Sequence, residues 1–311
     1  MSSRNNILVV GATGKQGGAV IKALTELPQA DPPIHILAIT RNPESESAKT
    51  LVAAHKGVVE LVKGDTTVPK PIFKDHPRHS IHSLFLVTAP PMGGNKSTEE
   101  EQAIPMIDAA VEHGVKHIVF TSVDRGGEEK SWTNPTHIQH FFEKHNIEIH
   151  LRDKAAKEEG KFTWTILRPV AFLDNFQPGF FGKMFPAMWA ATLSPTTKLQ
   201  LISVRDIGRF AAKALTDPEA WAGRAVSLAG DELTLGEAKD KFKKAIGKNM
   251  PQSYTILGRG LLFAIKEMGN MFQWFEDEGY GANIQARRKE VPELQDFEKW
   301  LKEDSGYVKN E

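Results

Sequence analysis

The chain has no cysteine among its 311 residues. That excludes disulfides, thiolate zinc sites and thiol-based redox sensing, so any redox response must run through a bound cofactor. It has no net charge either, since Lys plus Arg and Asp plus Glu each number 39. General attraction to nucleic acid or to an anionic membrane is therefore disfavoured, and no direct nucleic-acid partner is expected. No apolar run is long enough to span a bilayer, and the first residues lack the charged, apolar and small-residue segments of a secretory leader. The expected location is the cytoplasm, with the nucleus as alternative. Repeats and low-complexity linkers are missing too. At 40% hydrophobic content, the chain suits one large α/β domain, or a nucleotide domain with a smaller companion.

What is present is organised around residues 6–18, N-I-L-V-V-G-A-T-G-K-Q-G-G. Ile7, Leu8, Val9 and Val10 form a short unbroken apolar run, as in a strand buried on both faces. Glycines follow at once. Gly11 permits a tight turn, Gly14 lets the backbone approach a pyrophosphate, and Gly17 lets the next helix pack against the strand. Ala19, Val20, Ala23, Leu24 and Leu27 then give an apolar stripe at helical spacing. A helix starting near Gln16 would turn its free N–H groups and positive dipole end toward the phosphates. The spacing is GxxGxxG. It is not a Walker loop, because Lys15 stands only four residues after Gly11 and no Ser or Thr follows it.

Residues 34–40 (I-H-I-L-A-I-T) read as a second strand ending at Arg41. An acidic residue there would accept from a ribose 2′-hydroxyl and repel a 2′-phosphate; Thr40, Arg41 and Asn42 stand there instead. A guanidinium can pair with the phosphate, so NADP is favoured over NAD, against the plainer reading of a solvated arginine at a strand end. Residues 45–56 are helix-like and 58–62 a third strand, followed by the loop Gly64-Asp65-Thr66-Thr67. Asp65 either accepts from an adenine amino group or caps the following turn.

A fourth strand, 83–87, runs into Thr88-Ala89-Pro90-Pro91, whose prolines stop regular structure and leave a loop to line the crevice over the cofactor ribose. The loop 92–98, with Gly93 and Gly94, is mobile in type. Ser97 or Thr98, followed by three glutamates, starts a helix to His113. Residues 116–121 form a fifth strand, followed by Ser122. Five alternations of strand and helix predict a doubly wound parallel sheet with ligands at the carboxyl ends of its strands.

A long helix is expected over 135–160. In it His140 and Lys144 are four apart and share a face with Ile147 and Leu151. A lysine on that apolar side either has a task there or is a stem that snorkels to the surface. Residues 162–167 form a sixth strand that ends in R-P-V-A-F-L-D-N. The aromatic, glycine and proline content of 176–189 predicts an irregular, largely buried substrate-side segment. A helix over 204–215, a strand over 225–228 and a mainly helical remainder complete the chain. His76, His79 and His82 are three apart, as are His137 and His140, but no cysteine and no HExxH accompany them, so no metal is expected.

The set G-A-T-G-K-Q-G-G, T-R-N-P, G-D-T-T, T-S-V, H-F-F-E-K-H-N-I-E and L-R-P-V-A-F-L-D-N resembles the NmrA-like family, an atypical branch of the short-chain dehydrogenase/reductases. The resemblance implies a Rossmann-type NAD(P)-binding domain over 5–230, with 171–200 contributing to the substrate side, and a smaller mainly helical part over 231–311. It implies a pyrophosphate turn of Gly11, Thr13, Gly14, Lys15, Gln16 and Gly17, and a 2′-phosphate contact at Arg41. Asp65 and Thr66 fall at the adenine loop, and Thr88, Ala89 and Pro90 beside the ribose. Lys144 matches the nicotinamide-ribose lysine, and Val170, Phe172 and Asn175 lie near the nicotinamide.

One departure stands out. Typical short-chain dehydrogenases carry Tyr-x-x-x-Lys, and this chain has His140-x-x-x-Lys144. A histidine can do acid/base work near neutral pH, and Ser122 can orient a carbonyl, so Lys144, Ser122 and His140 form the candidate catalytic set. Two expectations follow. The favoured one is an NADPH-dependent oxidoreductase of a small organic substrate. The alternative is a non-catalytic NADP(H) redox sensor that binds a transcriptional regulator.

Overall fold

The computed structural model describes residues 5–28, 32–91 and 96–308. Met92, Gly93 and Gly94 of the expected loop lie outside the described residues. The chain divides into two compact units: Met1–Ser122, Glu143–Arg168 and Ile207–Val226 form the first, and Val123–Phe142, Pro169–Asp206 and Ser227–Glu311 the second.

In chain order the elements begin β1 (Asn5–Val9), α1 (Lys15–Glu26), β2 (Ile34–Thr40), α2 (Glu46–Ala54), β3 (Val59–Lys63), α3 (Lys70–Phe73), β4 (Ile81–Leu86), α4 (Glu99–His113) and β5 (His117–Thr121). There follow α5 (Gln139–Lys157), β6 (Thr163–Pro169), β7 (Ala171–Phe172), α6 (Phe180–Thr192), β8 (Leu199–Ile202), α7 (Val204–Thr216), α8 (Pro218–Trp221), β9 (Arg224–Leu228) and β10 (Asp231–Leu233). The chain closes with α9 (Leu235–Ile246), α10 (Thr255–Ala264), α11 (Lys266–Asp277), α12 (Ile284–Glu290) and α13 (Phe297–Glu303).

The main sheet runs β3-β2-β1-β4-β5-β6-β9. The pairs from β3 through β6 are parallel. Gly223 N donates to Trp164 O at 2.8 Å and Val170 N to Leu228 O at 3.2 Å, so β9 runs in the same sense beside β6. This is the doubly wound Rossmann-type sheet that the strand–helix alternation predicts. Ile7, Leu8 and Val9 are wholly buried, because β1 has neighbours on both sides and helices over both faces. Strand order reverses between β1 and β4. Their following loops part there, and such a parting makes the crevice in which open α/β sheets take ligands.

Local signals placed the helices well. Ser45 caps α2, accepting from Ala48 N, and Thr98 caps α4 in a reciprocal box with Glu101. Two buried polar groups lock the first unit's far strands. Arg168 of β6 forms an ion pair with Glu148 of α5 at 2.8 Å, both side chains fully buried. His117 of β5 pairs through Nδ1 with Thr163 Oγ1 at 2.8 Å and through Nε2 with Thr165 Oγ1 at 3.1 Å. Burial, with the nearby His82 charge second, pushes that imidazole down to about 4.

The second unit has its own core, in which Phe141, Phe176, Phe185, Trp189, Phe272, Trp274 and Phe297 pack with aliphatic residues of β7, β8, α9 and α13. A three-stranded sheet, β10-β8-β7, lies in this unit. Its strands are two to four residues long, too short for alternation to reveal. Residues 176–189 correct the sequence expectation: burial holds for Phe176, Gly182 and 184–189 but not for 178–181, which are exposed, and 180–192 form the regular helix α6 in place of an irregular segment. Pro186 lies inside that helix. Met184, Phe185, Ala187, Met188 and Trp189 around it are buried, and their packing outweighs the roughly 3 kcal/mol an interior proline costs.

Asp124 staples the same unit. Its buried carboxylate accepts the N–H groups of Gly126 and Gly127 at 3.0 Å and of Gly281 at 2.9 Å, and the Ser227 hydroxyl at 2.5 Å. Gly126 and Gly127 both have φ of +99°, which turns successive N–H groups toward one anion. Burial first, and the Asp124 charge second, holds the Tyr280 phenol well above its ordinary range.

Candidate functional site

The glycine turn is built as a close backbone fold. Gly11 has φ of +66°, and a Cβ there would lie 2.6 Å from Val87 Cγ1. A Cβ on Gly17 would meet Gly11 O at 2.2 Å and Ala12 N at 2.8 Å. Gly17 is therefore the point at which the helix meets the backbone of its own turn, just beyond β1. Gly14, the N-cap of α1, has an extended backbone with φ of −91° and its N–H donates to Gly11 O at 2.8 Å. Gly14 has no side chain with which to cap α1, and the first turn holds no acidic residue. Such an end attracts an anion. Thr13, Gly14 and Lys15 are exposed there, and Gln16 is half-buried.

Arg41 is exposed directly beyond β2, and Asp65 is exposed just beyond β3. Gly64 N donates to Thr40 O at 3.1 Å, so the two strand ends lie side by side. Asp65 makes the turn cap: its Oδ1 accepts Thr67 N at 2.9 Å and Thr67 Oγ1 at 2.8 Å. The Thr67 backbone bond, then its hydroxyl and the Arg41 charge, hold the Asp65 carboxyl below its ordinary value against the opposing effect of burial. Thr66 is half-buried beside it. Arg41 is thus an exposed cation whose near neighbour already spends one carboxylate oxygen on its own loop.

The core of the site is Lys144. Its Nζ lies 2.7 Å from Glu99 Oε2, 3.1 Å from Thr88 Oγ1 and 3.5 Å from Thr121 O. The Phe120 ring centroid is 5.6 Å away. Thr88 also bonds to the same Glu99 oxygen. Lys144 is 12% exposed and Glu99 not at all, so the snorkelling reading fails: the ammonium turns inward to a buried carboxylate. Glu99 N in turn donates to Glu143 Oε2 at 2.7 Å.

Sequence reasoning named Lys144 and Thr88 and missed Glu99. The signal was there: Glu99, Ala103, Met106, Ile107 and Ala110 are the buried stripe of α4, at helical spacing. A charge on an apolar stripe needs a partner.

Ala89 is held at both backbone groups by Gln102, whose Oε1 accepts Ala89 N at 3.1 Å and whose Nε2 donates to Ala89 O at 2.7 Å. Pro90 follows, half-buried. Ser122 is buried, and its N–H donates to Leu167 O at 2.7 Å. Gly11, Gln16, Arg41, Asp65, Thr88, Ala89, Ser122 and Lys144 all belong to the first unit.

His140, Val170, Phe172 and Asn175 belong to the second unit. Val170 is buried, Phe172 is half-buried in β7, and Asn175 is half-buried in a 3-10 turn over Leu173–Phe176. His140, in the first turn of α5, bonds through Nδ1 to Glu267 Oε1 at 2.6 Å and through its backbone N–H to the same oxygen at 3.0 Å. The side-chain bond to His140 is the main cause that holds the Glu267 carboxyl below its ordinary range. Glu267 gave no sequence signal, being 127 residues away. A carboxylate on Nδ1 fixes the ring and leaves Nε2 as the atom that can take or give a proton. Among the described residues, no three of His, Asp and Glu form a metal-ligand set, and no helix is long and apolar enough to cross a membrane.

Residues 3–301 match the NmrA-like family. The chain belongs to that family. An NmrA-like family domain-containing protein of Dictyostelium discoideum is 25% identical over 309 residues, covering 95% of this chain and 96% of that protein. The NmrA-like family domain-containing oxidoreductase FrzB of Cladobotryum sp is 27% identical over 267 residues, covering 78% and 74%. Among solved structures, NmrA, a negative transcriptional regulator in complex with NAD, aligns with a TM-score of 0.71 at 16% identity, over 97% of this chain and 96% of that one. The Citrobacter sp. triphenylmethane reductase complexed with NADP(H) aligns with a TM-score of 0.70 at 20% identity, over 95% and 98%. The NmrA-like fold is thus shared by a regulator and a reductase, and the fold alone does not choose between them.

Proposed function

We infer that this NmrA-like protein binds NADP(H) and is an NADPH-dependent oxidoreductase of a small organic substrate. The observation that carries the reading is the inward-turned Lys144, held by Glu99 and Thr88 just beyond the carboxyl ends of β4 and β5. The first unit that holds it also carries α1, with Gly14 as its N-cap, and Arg41. The oxidoreductase relative supports the same reading.

In this reading the α1 turn, Gly11 to Gly17, takes the pyrophosphate, and Arg41 takes the 2′-phosphate, which favours NADP over NAD. Asp65 and Thr66 flank the adenine; Thr88, Ala89 and Pro90 flank a ribose, and the Lys144 ammonium donates to ribose hydroxyls. Val170, Phe172 and Asn175 are assigned to the nicotinamide end, with 171–200 supplying the substrate side. The cofactor supplies the hydride. Ser122 orients the substrate carbonyl, and His140, fixed at Nδ1 by Glu267, holds a proton at Nε2. The expected location is the cytoplasm or nucleus.

The sensor reading has one observation in its favour: the position that carries tyrosine in typical short-chain dehydrogenases holds His140, whose Nδ1 is already bonded to Glu267. In that reading the partner is a regulator protein, and NADP and NADPH bind its competing conformations unequally. A substrate screen that follows NADPH absorbance separates the two. Turnover of a carbonyl or quinone substrate that Lys144→Ala abolishes supports the enzyme; no turnover, with partner affinity that follows the NADP/NADPH ratio, supports the sensor.

A further inference from the structure

Glu99 is the charged partner of Lys144, and the reading above gives it no task of its own toward the cofactor. Its side chain is fully buried, its Oε2 accepts both the Lys144 ammonium and the Thr88 hydroxyl, and its Oε1 has no hydrogen-bond partner among the described residues. The next two glutamates differ. Glu101 closes the capping box with Thr98, and Glu100 takes Asn146 Nδ2 at 2.8 Å. A carboxylate sunk into the start of a helix is costly unless a cation holds it there.

The donor directions are consistent. The Thr88 hydroxyl donates to Glu99 and accepts from Lys144, so its single proton is committed. An ammonium has three donors. One goes to Glu99 and one to Thr88; the third faces Thr121 O at 3.5 Å, the outer limit of a hydrogen bond. Two N–H groups therefore fix where Lys144 points, and the third, which Thr121 O holds only at the limit of reach, is the one a better acceptor can take over. A lysine stem is flexible, with freely rotating donors, and among the described residues Glu99 is the carboxylate paired with this ammonium and so selects its rotamer.

We propose that Glu99 is the positioning residue of the cofactor lysine: through its own oxygen and the Thr88 hydroxyl it holds Lys144 so that the remaining N–H meets the nicotinamide ribose. This rests on the NADP(H) reading above. Glu99 touches neither cofactor nor substrate in this arrangement and acts only through Lys144 and Thr88. Its benefit is pre-organisation, which raises affinity without adding a contact.

The experiment is calorimetric titration of the full chain with two probes, NADPH and adenosine 2′,5′-bisphosphate, which lacks the nicotinamide ribose. Glu99→Gln should weaken NADPH roughly tenfold and leave the bisphosphate unchanged, whereas a general loss of fold weakens both. Glu99→Gln placed on Lys144→Met should cost NADPH nothing beyond Lys144→Met alone, because the residue acts through the lysine. If Glu99→Gln alone does not fold, Glu99→Asp carries the test: the shorter carboxylate draws the ammonium away, so NADPH should weaken and the bisphosphate should not, and wild-type NADPH affinity would overturn the proposal. The double variant leaves no uncompensated buried charge. A double variant weaker toward NADPH than Lys144→Met, or a folded Glu99→Gln with wild-type NADPH affinity, overturns the proposal. Failure of the wild type to bind NADPH at all would instead overturn the cofactor reading, which keeps the two distinguishable.

Discussion

The Thr121 hydroxyl donates to the Gln16 amide oxygen at 2.8 Å, tying the first turn of α1 to the carboxyl end of β5. The carbonyl of the same threonine lies 3.5 Å from Lys144 Nζ. Turn and lysine are thus joined through one residue. Gln16→Ala removes the link without changing any charge, and one neutral hydrogen bond is worth about 1 kcal/mol, so NADPH affinity should fall several-fold. Calorimetry on the variant checks this; unchanged affinity would mean that turn and lysine are placed independently.

Arg41 tests cofactor choice. It is exposed at the end of β2, beside a carboxylate whose Oδ1 is taken by Thr67. Arg41→Ala should weaken NADP binding by ~1.5–3 kcal/mol, the worth of a charge-assisted hydrogen bond, and leave NAD nearly unaffected. Equal losses for both cofactors, measured in parallel titrations, would remove Arg41 from the 2′-phosphate.

The glycines separate binding from folding. At Gly14 a side chain finds an allowed backbone and a tight contact of 3.2 Å to Gly11 O, whereas at Gly17 the new Cβ would sit 2.2 Å from that oxygen. Gly14→Val should therefore stay folded and lose NADP(H). Gly17→Ala should lose stability by roughly 1–3 kcal/mol, the usual cost of overpacking. Urea midpoints beside cofactor titrations distinguish them; a Gly14→Val protein that is folded and binds normally would displace the phosphate site from this turn.

His117 makes a prediction about pH. Its folded value of about 4 lies below the ordinary 6.5, so between those values the unfolded chain holds a proton that the folded chain refuses. Stability from this group is complete above about pH 6.5 and is lost as pH falls toward 4, by roughly 3 kcal/mol in all. Urea unfolding at about pH 7 and about pH 4.5 should show a drop that His117→Gln reduces by roughly 2 kcal/mol. An identical drop in both proteins would mean that the imidazole is protonated in the fold.

The first-unit strands, the caps of α2 and α4 and the glycine turn were legible in sequence because each is local: an apolar run, a Ser or Thr before a helix, a glycine triplet. The lysine network was half legible. Lys144 stood out at helical spacing, but Glu99 sat in a run of three glutamates whose visible purpose was the cap, and only its register with Ala103 and Met106 marks it as buried. Glu267 could not be read at all, because its bond to His140 joins distant parts of the chain. The short strands β7, β8 and β10 carry too few residues for alternation, and α6 runs through Pro186 because tertiary packing overrides local propensity.

The most direct test of the central claim is titration of the purified wild-type protein with NADPH and, in parallel, NADH. The account predicts saturable binding of NADPH at one site per chain, tighter than NADH by roughly tenfold or more, as one charge-assisted contact to the 2′-phosphate requires. Absence of NADPH binding, or equal affinity for the two cofactors, would contradict it.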